Sequence, residues 1–143
     1  MTPQLEEARR LLRLARRDRC AFAALAAAPS VALAVACFHA QQAAEKVLKA
    51  VSCLRGVGFR RTHDLEELAG ALADIGLPVA ATADDLRRLT PYAVEFRYDD
   101  EAPHLLTAGQ PRTAMRHTAA SASRFGSRSR LRRKLRPMVW RIA

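Results

Sequence analysis

SVALAVACFHAQQAAEKVLKAVSCL, residues 30–54, is the stretch on which the fold turns. It follows Pro29, Ser30 offers a hydroxyl to cap it, and it is the most apolar helical segment of the chain. A helix of that composition belongs at the centre of a bundle. Its middle, however, reads Phe38-His39-Ala40-Gln41-Gln42-Ala43-Ala44-Glu45-Lys46. His39, Gln42 and Lys46 follow i, i+3, i+7 and share one stripe; Gln41 and Glu45, four apart, share the next. A buried polar group left without a partner costs about 1–3 kcal/mol, so these side chains need company. Two readings fit. One is a satisfied polar network that fixes helix register or a dimer contact; the other is a catalytic or ligand-binding stripe.

Outward from this segment the pattern stays helical. Thr2-Pro3 followed by Glu6 and Glu7 opens a first helix, with Leu5, Ala8, Leu11, Leu12, Ala15, Phe22 and Leu25 on its apolar side. Arg55 to Arg61, with Gly56 and Gly58, reads as a connecting loop. Thr62 is expected to cap a third helix that carries Leu65, Leu68, Ala69 and Leu72 and stops at Gly76. Thr82, with Asp84 and Asp85, opens a fourth that runs through Leu86, Leu89 and Ala93, and Pro91 should kink or split it. No stretch alternates like a strand. The expected fold is an all-α up-and-down bundle of four or five helices.

The chain has 143 residues and a net charge of +10, but the charge is divided. Residues 1–107 hold 14 basic and 14 acidic side chains, whereas residues 108–143 hold ten basic ones and no acid. The expected organisation is a helical domain over 1–107 and a basic tail over 108–143. No apolar run approaches the roughly 18 residues of a membrane-spanning helix, and the N-terminus lacks the pattern of a secretory signal. Cys20, Cys37 and Cys53 lack CxxC spacing and suit reduced, buried thiols, hence a cytoplasmic protein. The histidines His39, His63, His104 and His117 are too dispersed for a metal site, and there is no glycine-rich phosphate loop, so no cofactor is expected.

Three separated stretches, in order, carry a resemblance: ACFHAQQAAEKVLKA (residues 36–50), RTHDLEEL (61–68) and DLRRLTPYAVEFRYDD (85–100), preceded by Leu14-Ala15-Arg16-Arg17-Asp18. Together they resemble the HEPN domain family over residues 5–102, in particular the small prokaryotic members encoded beside a minimal nucleotidyltransferase. The resemblance implies a homodimer and a place in a two-gene, toxin–antitoxin-like pair with that nucleotidyltransferase. It also implies metal-independent RNA cleavage in the members that keep an Arg-x(4 to 6)-His motif. Tyr92 and Tyr98 are similar to the family's late tyrosines, and both also suit half-buried ring anchors.

RNA cleavage by its own 2′-OH needs a proton acceptor or donor poised near neutrality, which His supplies. It also needs a cation on the developing phosphorane charge, which an Arg fork supplies. Arg97 and His104, with six residues between them, reach the upper limit of the motif and are the candidate catalytic pair, although His104 follows Pro103 in an expected loop. Arg112 and His117 also fit the spacing but sit in the basic tail. His39, Gln42, Lys46 and His63 are the candidate nucleotide- or RNA-binding residues. His63, at the start of the third helix, suits a nucleotide contact or a hydrogen bond accepted from a neighbouring helix. The alternative function is a non-catalytic nucleotide-binding or adaptor module that recruits the nucleotidyltransferase.

The tail, TAGQPRTAMRHTAASASRFGSRSRLRRKLRPMVWRIA from Thr107, admits three readings. It suits a basic arm for RNA or another polyanion. Leu131 to Ile142, with Trp140, suits a membrane-surface segment. The abundance of Arg, Ala and Ser also suits a reading frame shifted near residue 105 of a GC-rich gene.

Overall fold

The computed structural model describes residues 2–94, which form four α-helices and one 3-10 turn, with no strand among them. Helix α1 spans Pro3–Ala27, α2 Leu33–Arg55, α3 Leu65–Ala73 and α4 Ala83–Leu89; the 3-10 turn covers Thr90–Ala93. The all-α expectation holds, and the split at Pro91 falls where the proline breaks the helical ladder.

Helix α2 is the axis of the molecule. Twelve of its 23 residues are buried, against four of the 25 in α1, and α1, α3, α4 and the 3-10 turn all pack on it. Ala36, Ala40, Ala43, Ala44 and Ala50 are almost fully buried along it. Such short side chains let neighbouring helices approach closely. Ala8 and Leu11 near the start of α1 meet Ala50 near the end of α2, with Leu12 and Cys53 beside them. The two long helices are therefore an antiparallel hairpin. The larger cluster, built on Phe22, Leu33, Cys37, Leu48, Leu65, Leu68, Leu72, Leu86, Leu89 and Tyr92, fills the space between α2 and the shorter elements.

The helix ends show where local chemistry decided otherwise than expected. Thr2 caps α1 as predicted, its hydroxyl accepting from the Leu5 amide at 3.3 Å. Ser30 does not cap α2: the first turn starts after Ala32, with no side-chain cap, because the Pro29–Ser30 turn ends three residues earlier. Helix α2 closes at Gly56, which has φ +67°, and the Val57 amide reaches back to the Ser52 carbonyl at 2.9 Å. A left-handed closing residue of this kind favours glycine. The cap of α3 is Asp64 rather than Thr62. Its carboxylate accepts from the Glu66 and Glu67 amides at 2.8 and 3.2 Å, while the Thr62 hydroxyl is spent on the Asp64 amide. Helix α3 ends at Ala73, before a turn in which Gly76 takes φ +79°.

The connection 57–64 runs back alongside α2, with Phe59 5.7 Å from the Lys49 ammonium and His63 against Glu45. As a result α3 begins beside the middle of α2. Thr90 then ties α4 to α3, accepting from the Leu65 amide at 3.2 Å and donating to the Leu86 carbonyl at 3.0 Å. Of the cysteines, Cys37 is buried and Cys53 half-buried, but Cys20 is exposed, contrary to expectation, because it lies on the outer side of α1. Burial pushes the Cys37 thiol up to about 12, against a weaker opposing hydrogen bond with Tyr92, so it is an inert core group.

Truncating Leu48, 1% exposed at the centre of α2, is expected to cost about 2–5 kcal/mol in urea unfolding. Truncating Leu54, 50% exposed one turn and a half later, is expected to cost under about 1 kcal/mol. Equal losses would refute the placement of α2 at the core.

Candidate functional site

The polar residues of α2 form one continuous hydrogen-bonded chain that begins on α1. Asp18, the only acid between Glu7 and Glu45, points inward from α1. One of its carboxylate oxygens accepts from His39 Nδ1 at 2.9 Å and the other from Lys46 Nζ at 2.6 Å. Lys46 Nζ also donates to Gln42 Oε1 at 2.9 Å, and Gln42 Nε2 donates to Gln41 Oε1 at 2.8 Å. Gln41 Nε2 then donates to Glu45 Oε2 at 2.9 Å and to the His63 backbone carbonyl at 3.2 Å. Glu45 closes the chain, accepting from Lys49 Nζ at 2.7 Å and from His63 Nδ1 at 3.0 Å.

Helical spacing explains why these residues meet. Gln41 with Glu45, Gln42 with Lys46 and Glu45 with Lys49 are all i, i+4 pairs on one helix. The neighbours Gln41 and Gln42 join the two stripes side by side. Gln41 is fully buried, and Glu45 nearly so. No buried side-chain nitrogen or oxygen among the described residues lacks a partner. Burial alone pushes the Glu45 carboxyl up, but hydrogen bonds from Lys49, Gln41 and His63, with the Lys49 charge, outweigh it and hold the carboxyl below its usual range. Against that ionised group His63 Nδ1 donates, the reverse of the accepted hydrogen bond that its place in the sequence suggests. His63 also lies just before the Asp64 cap, outside the first turn.

The structure thus brings together His39, Gln42 and Lys46 through Asp18, and His63 through Glu45 and Gln41. Phe38 adds an edge-on contact to the His39 ring at 5.3 Å between centroids. Asp18 and Lys49 escaped the sequence reading as site residues. The signal for Asp18 was its isolation: a single acid among Arg13, Arg16, Arg17 and Arg19 and near no other negative residue. The candidate catalytic residues Arg97 and His104, together with Tyr98, Arg112, His117 and the basic tail, lie outside the described residues. Tyr92 is buried, as a ring anchor should be. Among the described residues no helix is long and apolar enough to cross a membrane.

Two measurements check this geometry. The Glu45 carboxyl titrates lower in the folded chain than in the unfolded one, so its contribution is fully present above about pH 4.5 and fades as pH falls through the lower folded value. Glu45→Gln is therefore expected to flatten the acid side of the stability–pH curve, and an unchanged slope below pH 5 would count against the ionised assignment. A double-mutant cycle on Asp18→Asn and Lys46→Met is expected to give a coupling of about 1 kcal/mol or more. The exposed Glu7–Arg10 pair, 2.7 Å apart, should give a clearly smaller coupling, because solvent screens it. Equal couplings would mean that the Asp18–Lys46 contact is no more than a surface pair.

A model of the HEPN domain matches residues 8–124 of the chain, a span that lies on both sides of the charge boundary at 107/108. No curated protein and no solved structure gives a match. The match covers well over half of the sequence and takes in α1 from Ala8 onward, the polar helix α2, α3 and α4, so the chain belongs to the HEPN domain family.

Proposed function

We propose that the chain is the HEPN component of a HEPN/nucleotidyltransferase pair of toxin–antitoxin type, acts as a homodimer, and cleaves RNA without a metal through Arg97 and His104. The observation that carries this reading is the family match joined to the internal saturation of the α2 stripe. The amides and charges of that stripe are engaged with one another, which makes it a scaffold and leaves the chemistry to residues beyond it. In the proposed reaction the His104 imidazole takes the 2′-OH proton or protonates the leaving oxygen. The Arg97 guanidinium holds the phosphorane oxygens by two parallel hydrogen bonds.

A second reading has one observation in its favour. The His63 side chain is 55% exposed while its Nδ1 is fixed by Glu45, so an oriented imidazole edge faces outward. On that reading His63, with the rim of His39, Gln42 and Lys46, contacts a nucleotide in a non-catalytic module that recruits the nucleotidyltransferase.

Purified protein incubated with structured RNA in EDTA separates the two. Cleavage is expected to survive chelation and to fall about 100-fold or more in both Arg97→Ala and His104→Ala. A folded dimer that leaves the RNA intact would overturn the nuclease and support the adaptor.

A further inference from the structure

The outward face of α1 carries a run of arginines, of which Arg9, Arg10 and Arg19 have partners. Residues 9–19 read RRLLRLARRDR, with six arginines, no lysine and one acid. That acid is Asp18, and the structure turns it inward, where His39 and Lys46 occupy both oxygens. It therefore does nothing to neutralise the outside of the helix. Arg10 is held by Glu7. Arg13, Arg16 and Arg17 are exposed and form no ion pair or side-chain hydrogen bond among the described residues. Spaced i, i+3 and i+4, they lie on one side of the helix. Beyond them the outer face continues through the exposed Cys20, Ala23, Ala24 and Ala27, with no further acid on α1.

We propose that Arg13, Arg16 and Arg17 form a track that binds the phosphate backbone of single-stranded RNA along the outer face of α1. From Arg13 to Arg17 the helix rises about 6 Å, and the reach of the side chains extends this over about three phosphates of a strand that rises roughly 3.4 Å per nucleotide. Arginine presents a planar fork that matches phosphate in pairs of hydrogen bonds, a geometry that lysine lacks. A membrane surface is the poorer fit. A helix lying in a lipid interface needs an apolar face to insert, and the apolar side of α1, Ala8, Leu11, Ala15 and Phe22, is already buried in the bundle. The track concerns binding alone; it stands whether or not the chain cleaves RNA.

The test is the salt dependence of binding of the full chain to a fluorescent oligouridylate 20-mer, with phosphatidylserine vesicles as a second probe. Removing three phosphate contacts in the triple variant Arg13→Gln, Arg16→Gln, Arg17→Gln is expected to flatten the slope of log K against log salt by about 2. The corresponding triple lysine variant keeps the charge and is expected to keep most of the slope. Should the triple glutamine variant fail to fold, each single glutamine variant is expected to flatten the slope by about 0.7. An unchanged slope in folded glutamine variants would overturn the track. So would a loss as large in the lysine variant, which would place the effect in the helix rather than in its charge. Loss of vesicle binding with RNA binding intact would overturn it in favour of a lipid surface.

Discussion

One carboxylate, Asp18, fixes how the two long helices of this bundle sit against each other. It is held at once by His39 and Lys46, about two turns apart on α2. Sliding α2 by one residue moves it about 1.5 Å and turns it about 100°, which would carry both partners away from the carboxylate. Apolar contacts alone are more forgiving, because alanine packs on alanine in several registers. The core of the hairpin is built largely of alanines, so the polar contact supplies the discrimination that the small side chains lack.

The rest of the structure follows from that register. With α2 fixed, Gln41 and Glu45 face the side away from α1, and there they receive the chain as it returns from Gly56. Gln41 holds the His63 carbonyl and Glu45 holds the His63 ring. The start of α3 is placed by these two bonds, and Leu65, Leu68 and Leu72 then reach the apolar cluster. A network of this kind stabilises only when complete, since truncating one member strands the others in a medium of low dielectric constant. Here it is complete among the described residues.

Much of this was legible in the sequence, and the exceptions have physical causes. The four helices, the centrality of residues 33–55, the break at Pro91 and the need of His39, Gln42 and Lys46 for partners all follow from periodicity and the cost of burial. The caps were harder. Ser30 and Thr62 are both good capping residues, but a hydroxyl caps only where the following backbone turns, and the turn after Thr62 is delayed by the bond that Thr62 makes to the Asp64 amide. Asp18 was hidden because its partners lie 21 and 28 residues away. Local spacing finds i, i+4 pairs; it carries no information about which residue of a second helix will stand opposite.

The same carboxylate also separates the inside of the bundle from its outside. Lys46 spends two of its three donor positions on Asp18 and Gln42, Gln41 spends both amide hydrogens, and Glu45 accepts from three side chains. A ligand entering the stripe would have to displace a bond already made, and an orphaned buried partner costs about 1–3 kcal/mol each time. The outer face of α1 is the opposite case. Beside Arg13, Arg16 and Arg17 the one nearby acid, Asp18, is turned to the interior, and binding a phosphate to these three breaks no ion pair or side-chain hydrogen bond among the described residues. Burying one negative charge thus does two things: it sets the register of the helices, and it leaves Arg13, Arg16 and Arg17 without an acid bound to them among the described residues.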